Sequence, residues 1–255
     1  MTSSAVSCVT NILGIVIVLV IWQIFGAHLG ETLLATPVQV AGAFVTMIRS
    51  MDFWAGIGGT LWQMLLGYVL AMLIGVPLGI AMGRVPAINA IVKPWASMCI
   101  VVSAAAIVPL FIILMGRGVV FSVAIVFVVT VWYVVISMTE AARNVSPKLL
   151  AAAQSFGTSD FQRFRYVILP ALHPFVMIAA RVGLVHALRA MVTAEMFISA
   201  NYGGLLNDAG LDLSTAGLFA LIIALMIISL SITGLMRLIA DRSAPWYASK
   251  IASGR

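Results

Sequence analysis

The chain has 255 residues, 63% of them hydrophobic and 9% charged, with a formal net charge of +6 and a mean hydropathy of +1.16. Soluble domains carry about 25% charged residues, so this composition excludes an ordinary water-soluble fold. It also removes the usual reading of a basic chain as a nucleic-acid binder: with a core made of bilayer, the cations report which side of the membrane each loop occupies.

Six apolar runs follow one another at about 12–27, 60–83, 88–115, 119–142, 171–199 and 214–239. Each is long enough for about 30 Å of hydrocarbon at about 1.5 Å per residue, which predicts an all-α membrane protein of about six transmembrane helices. The first run has no Lys or Arg before it and no small-residue cleavage site behind it, so a retained span is expected rather than a signal peptide. Six spans put both termini on one side. With that side cytoplasmic, Arg84, Lys93, Arg143, Lys148, Arg163, Arg165, Arg237, Arg242, Lys250 and Arg255 lie inside, against Arg49 and Arg117 outside.

Between the first two runs, Thr36 and Pro37 read as N-cap and first helical residue of a short external helix, with Ala41, Phe44, Val45 and Ile48 on its apolar face. In the second run Gly75, Gly79 and Gly83 recur every four residues and offer a smooth stripe for a neighbouring helix. The third run is longer than one crossing needs. It carries Pro94 and Pro109, either of which can bend or break it.

The loop from Asn144 to Pro170 reads as ordered. Ser146 and Pro147 start a helix of about ten residues, Leu149, Leu150, Ala153 and Phe156 give it an apolar face, and Gly157 ends it in a left-handed conformation. Thr158 or Ser159 then caps a second short helix with Phe161 and Phe164 three apart and Arg163 and Arg165 beside them, before Pro170 opens the fifth span. On physics alone the pair fits either a protein-docking element or two amphipathic helices on anionic lipid.

The fifth run holds Arg181, His186, Arg189 and Glu195, and a charge inside the bilayer calls for a partner or a watery path. At 100° per residue, Arg189 points about 120° away from Glu195, so the two are not expected to pair along one helix. Arg189 is a candidate for binding an anionic solute, or is satisfied by another helix; Glu195 is a candidate for an external gate or a structural pair. Asn201–Leu213 is Gly-rich and acidic and reads as either a docking rim or a solvated turn. Cys8 and Cys99 give no disulfide framework, His28, His173 and His186 give no metal spacing, and no paired catalytic groups or phosphate-binding Gly-x4-Gly-Lys motif occur.

The loop is similar to one carried by importer permeases of the ATP-binding cassette class: Glu-Ala-Ala, three residues, Gly, nine residues, Ile-x-Leu-Pro. Here Ala151-Ala152-Ala153, Gly157 and Val167-Ile168-Leu169-Pro170 keep the spacing, with Ala151 where the Glu is usual. The likeness to the nitrate/sulfonate/taurine branch extends over Thr36-Pro37, Gly75-Val76-Pro77-Leu78-Gly79, Val108-Pro109-Leu110, Gly116, Pro147-Lys148-Leu149-Leu150, Ala194-Glu195-Met196 and Gly203-Gly204-Leu205.

The resemblance implies a type I, methionine-importer-like fold. Residues 1–35 would form an N-terminal span and external linker, 36–246 the permease core with its coupling loop at 144–170, and 247–255 a cytoplasmic tail. It also implies two permease copies, two cytoplasmic ATPase subunits holding ATP and Mg, and an extracytoplasmic solute-binding protein, with no cofactor on this chain itself. Leu149, Leu150, Ala151, Ala152, Ala153, Phe156, Gly157, Phe161, Leu169 and Pro170 are the expected ATPase-coupling residues, and Arg189, Glu195 and Pro109 the expected pathway residues. Nitrate, bicarbonate, alkylsulfonates, aromatic carboxylates and uncharged vitamin precursors all stay open as solutes. An ATP-independent carrier or channel is the other reading, weakened by the lack of a clear internal repeat and by a single deep acid.

Overall fold

The computed structural model describes residues 2–243. In chain order it contains α1 (Thr2–Leu29), α2 (Pro37–Arg49), α3 (Met51–Arg84), α4 (Pro86–Val101), α5 (Ala104–Met115), α6 (Val119–Arg143), α7 (Pro147–Ser155), α8 (Asp160–Arg163), a π-helical turn (Phe164–Ile168), α9 (Leu169–Ile198), α10 (Asn201–Leu211) and α11 (Thr215–Ser243). The expected tail at 247–255, with Lys250 and Arg255, lies outside the described residues, as does the side chain of Cys8. Among the described residues four helical stretches are long and apolar enough to cross a membrane, or five if α4 and α5 count as one broken span. The apolar part of α1, Leu13–Leu29, is shorter, so length and apolarity alone do not reach the expected six.

The chain forms two units. One comprises the residues up to Gly59 together with Met196–Ile228. Within it, Thr36 caps α2 through a full capping box with Gln39, as the Thr-Pro pair predicts. The face that α2 buries differs from the expected one. Val40, Ala43, Phe44 and Met47 pack with Ala216, Phe219, Ala220 and Ile223 of α11, whereas Ala41, Val45 and Ile48 are exposed. Residues 40/43/44/47 and 41/44/45/48 fit the same helical template one residue apart, and only the partner helix decides between them. The Trp22 ring joins this cluster, 5.3 Å from Phe219, and its indole N–H donates to the Ala35 carbonyl at 3.0 Å.

In the same unit most of Asn201–Leu213 is the helix α10, Asn201–Leu211, and not a plain solvated turn. Tyr202, Gly203 and Gly204 are buried, and the Tyr202 hydroxyl donates to the Leu221 carbonyl. The acidic residues Asp208 and Asp212 are exposed.

The second unit comprises Thr60–Glu195 and the end of α11 from Ser229. Its centre is the packing of α3, α6 and α9. A Cβ on Gly75, Gly79 or Gly83 would lie 2.9, 2.6 or 2.5 Å from Val134, Met138 or Ala142 of α6. The expected stripe is therefore a close helix contact, extended at the other end by Gly67 against Val126. Both partner series rise along the sequence, so α3 and α6 run parallel. Without a hydrophobic drive between helices in lipid, such backbone-close dispersion and interhelical hydrogen bonds carry the association. One such bond runs from the Tyr68 hydroxyl to the Ala180 carbonyl at 3.0 Å, tying α3 to α9.

The third apolar run is not one helix. α4 and α5 meet at 101°, with Val102 (ψ 124°) and Ser103 (ψ 137°) both extended. Pro94 and Pro109 lie inside α4 and α5, so neither proline makes the break. Ile100, Val101 and Val102 are β-branched and lose rotamer freedom in a helix, and Ser103 favours the position preceding a new one.

Candidate functional site

The loop from Asn144 to Pro170 holds its helices by explicit caps. Ser146 occupies the N-cap position of α7, though its hydroxyl makes no capping bond. At the other end Gly157 adopts φ +70° and its N–H bonds to the Gln154 carbonyl at 2.9 Å. The Thr158 hydroxyl donates to the Ala153 carbonyl at 2.8 Å and so closes α7 instead of starting α8. Ser159 is the cap of α8, in a capping box with Gln162.

The second short helix is not separate. α8, the π turn and α9 form one continuous helix, Asp160–Ile198. Pro170 explains the turn: it has no N–H to offer the preceding turn and its ring crowds the carbonyl four residues back. The chain widens locally, with Leu169 N–H reaching the Phe164 carbonyl five residues away.

The apolar face expected on α7 divides. Ala153 is buried, Leu150 is half-buried against the core around Ile168 and Leu172, and Leu149 and Phe156 are exposed, Phe156 at 86%. Ala151, Ala152, Gly157, Phe161, Leu169 and Pro170 are exposed as well. Tyr166, 70% exposed within the π turn, belongs to the same surface and was not anticipated; its aromatic ring, four residues ahead of Pro170, was the available signal. Large exposed apolar side chains on an ordered, capped loop suit contact with another protein or with the membrane surface.

A second feature lies at the α4–α5 break. A cavity of about 250 Å³ is lined by Val102, Ser103, Ala104, Tyr133, His186 and Arg189, among others. His186 stacks on Tyr133 with ring centroids 3.4 Å apart and planes 10° from parallel. Arg189 is exposed to this space and is its only Arg, Lys, Asp or Glu. The first turn of α5 also borders it, and the opening N–H groups of a helix have no intrahelical acceptor. A guanidinium, a helix start and a flat aromatic face suit a small anion with an organic part.

Glu195 and Pro109 do not line this cavity. Glu195 is fully buried and accepts hydrogen bonds from the Thr60 hydroxyl, whereas Pro109 is exposed within α5. Arg181 is half-buried, and its Nε is buried without a hydrogen-bond partner among the described residues. Among the described residues no group of three or more His, Cys, Asp or Glu side chains is placed to hold a metal ion.

Residues 75–244 match the family described as "Binding-protein-dependent transport system inner membrane component". The chain is similar to the taurine transport system permease protein TauC of Escherichia coli, 29% identical over 84% of this chain and 80% of that one. It is also similar to the putative aliphatic sulfonates transport permease protein SsuC of Bacillus subtilis, 26% identical over 90% of this chain and 84% of that one. In fold it is similar to a chain of the MetNI methionine ABC transporter, solved in inward-facing conformations. The TM-score is 0.62 at 16% identity, covering 76% of this chain and 94% of that one.

Proposed function

This chain belongs to the family of binding-protein-dependent transport system inner-membrane components, and from that premise we propose that it carries a small anion through the cavity at the α4–α5 break, driven by an ATPase seated on the 144–170 loop. The chain is a multi-pass permease of an ATP-binding cassette importer and not an enzyme. In such importers ATP and Mg belong to the separate ATPase subunits. The observation that carries the solute reading is Arg189, the one Arg, Lys, Asp or Glu among the residues lining that cavity. A cation at bilayer depth costs about 2.5–3.5 kcal/mol or more, and an anion passing it recovers part of that cost. The relatives named for taurine and aliphatic sulfonates support the same class of solute.

Two copies of the chain form the path, both termini face the cytoplasm, and an extracytoplasmic binding protein delivers the solute. Leu149, Phe156 and Phe161 enter the ATPase, and Gly157 fixes the angle at which α7 is presented. The absence of a glutamate at Ala151 leaves docking to apolar and backbone contacts. Glu195 and Pro109 act in the moving walls of the path and not as ligands.

The test is uptake of taurine and a short alkylsulfonate into vesicles holding the assembled importer, with Arg189→Ala and Arg189→Lys. The expected result is about a tenfold loss for Arg189→Ala, equivalent to about 1.4 kcal/mol, with smaller loss for Arg189→Lys and ATPase association unchanged. Full uptake by Arg189→Ala would remove the anion-binding role.

A further inference from the structure

A second cavity, about 740 Å³, lies between the last turns of α3 and the loop. Most of its lining is apolar, with Val76, Pro77, Ile80 and Ala81 from α3 and Ile168 and Leu169 from the start of the fifth span. Its charged groups are Arg84, Arg163 and Asp160. Arg163 is already ion-paired with Asp160. Arg84 is not: its Nε and Nη2 are buried and without a hydrogen-bond partner among the described residues. Two cations against one anion leave one uncompensated positive charge over an aliphatic floor.

A buried guanidinium nitrogen with no acceptor is unfavourable, and the planar fork of arginine matches a phosphate or carboxylate better than any other group. Water satisfies the fork but not the aliphatic floor. The complementary occupant has one negative charge and an attached apolar body. Arg84 closes a 34-residue membrane-crossing helix, on the side where the loop cations also gather, so the cavity sits where a headgroup region meets hydrocarbon. Basic pockets between spanning helices on that side take acidic headgroups, and the volume is that of an ordinary small-molecule site, about 300–1,000 Å³.

We propose that this cavity binds one anionic phospholipid, its phosphodiester on Arg84 and its glycerol and upper acyl region against Val76, Ile80 and Leu169. Leu150 and Gln154 of α7 border the same space, so the lipid touches both the membrane span and the docking loop. Anionic lipid then sets how firmly α7 is held. The inference goes beyond the transport reading. A binding measurement requires neither solute nor ATPase, so its failure leaves that reading intact.

The experiment uses the full-length chain in detergent, stripped of lipid and titrated with phosphatidylglycerol, phosphatidylcholine or glycerol 3-phosphate, with bound molecules counted by native mass spectrometry. One phosphatidylglycerol per chain is expected, in preference to phosphatidylcholine. Arg84→Gln is expected to weaken it about tenfold, as is Ala81→Trp, which fills the cavity and keeps the cation. Arg237→Gln, at an exposed arginine of α11, should leave it unchanged. Having both an electrostatic and a filling variant keeps the test valid if one of them fails to fold. Equal binding by wild type and both variants would overturn the proposal. So would glycerol 3-phosphate binding as well as the lipid, which indicates a free-phosphate site. Phosphatidylglycerol displaced whenever the ATPase co-purifies would assign Arg84 to a protein contact instead.

Discussion

Thr60 and Glu195, 135 residues apart, meet inside the second unit, where the Thr60 hydroxyl lies 2.7 and 2.9 Å from the two carboxylate oxygens of Glu195. Both side chains are buried, Glu195 completely. Removing the hydroxyl by Thr60→Val deprives a buried carboxylate of a donor, which costs about 1–3 kcal/mol. Thr60→Ser keeps the donor. Thermal melts of the detergent-purified protein should show Thr60→Val clearly less stable and Thr60→Ser close to wild type; equal melts for Thr60→Val and wild type would refute the role.

The α3–α6 contact predicts a sharp split among glycines. A Cβ on Gly79 would meet Met138 and the Val135 carbonyl at 2.6 Å, so Gly79→Ala forces α3 and α6 apart at a cost of about 1–3 kcal/mol. Gly58, in the same helix, has nothing within 4 Å of its virtual Cβ, and Gly58→Ala should be neutral or stabilising by up to about 1 kcal/mol. Folded yield by size-exclusion chromatography separates the two.

Ala104 supplies a test of the broken span. It opens α5, and Ser103 before it is already extended, so proline fits at 104. In an unbroken helix the same change would cost about 3 kcal/mol. Ala104→Pro is therefore expected to leave folded yield and melting unchanged, and a severe loss would mean that residues 88–115 form one helix.

At the loop, Phe156 is exposed and Gly157 sits at φ +70°. Phe156→Ala should leave the melting point of the isolated chain unaltered while lowering co-purification of the ATPase. Gly157→Asp adds a left-handed penalty of about 1–2 kcal/mol and re-aims α7, so it should abolish co-purification. Wild-type ATPase recovery with both variants would contradict docking at this loop.

Some of this was legible without coordinates and some was not, for physical reasons. Gly75, Gly79 and Gly83 announce a close contact by spacing alone, and Pro147 and Gly157 bracket α7 because each has a single favoured place in a helix. The α4–α5 break was hidden because Ile100, Val101 and Val102 are as apolar as the residues around them, and hydropathy does not see a backbone turn. The buried face of α2 was ambiguous because two apolar stripes compete and the deciding residues, Ala216 and Ala220, lie in α11. Thr60 could not be chosen as the partner of Glu195, since nothing local marks one threonine among many. The cavity at Arg189 was partly legible: the charge stood out, but Tyr133 and Ser103 join it only through tertiary packing.

The π turn gives the helix that follows the loop an unusual mechanical character. From Asp160 to Ile198 the backbone stays helical over 39 residues, through the π turn and past Pro174. One end carries Phe161 and the other reaches Glu195. Phe161 and Glu195 thus lie on one helical segment with no loop between them, and the wide turn at Phe164–Ile168, which already holds an extra residue, is a place where that segment can be wound or unwound by a residue.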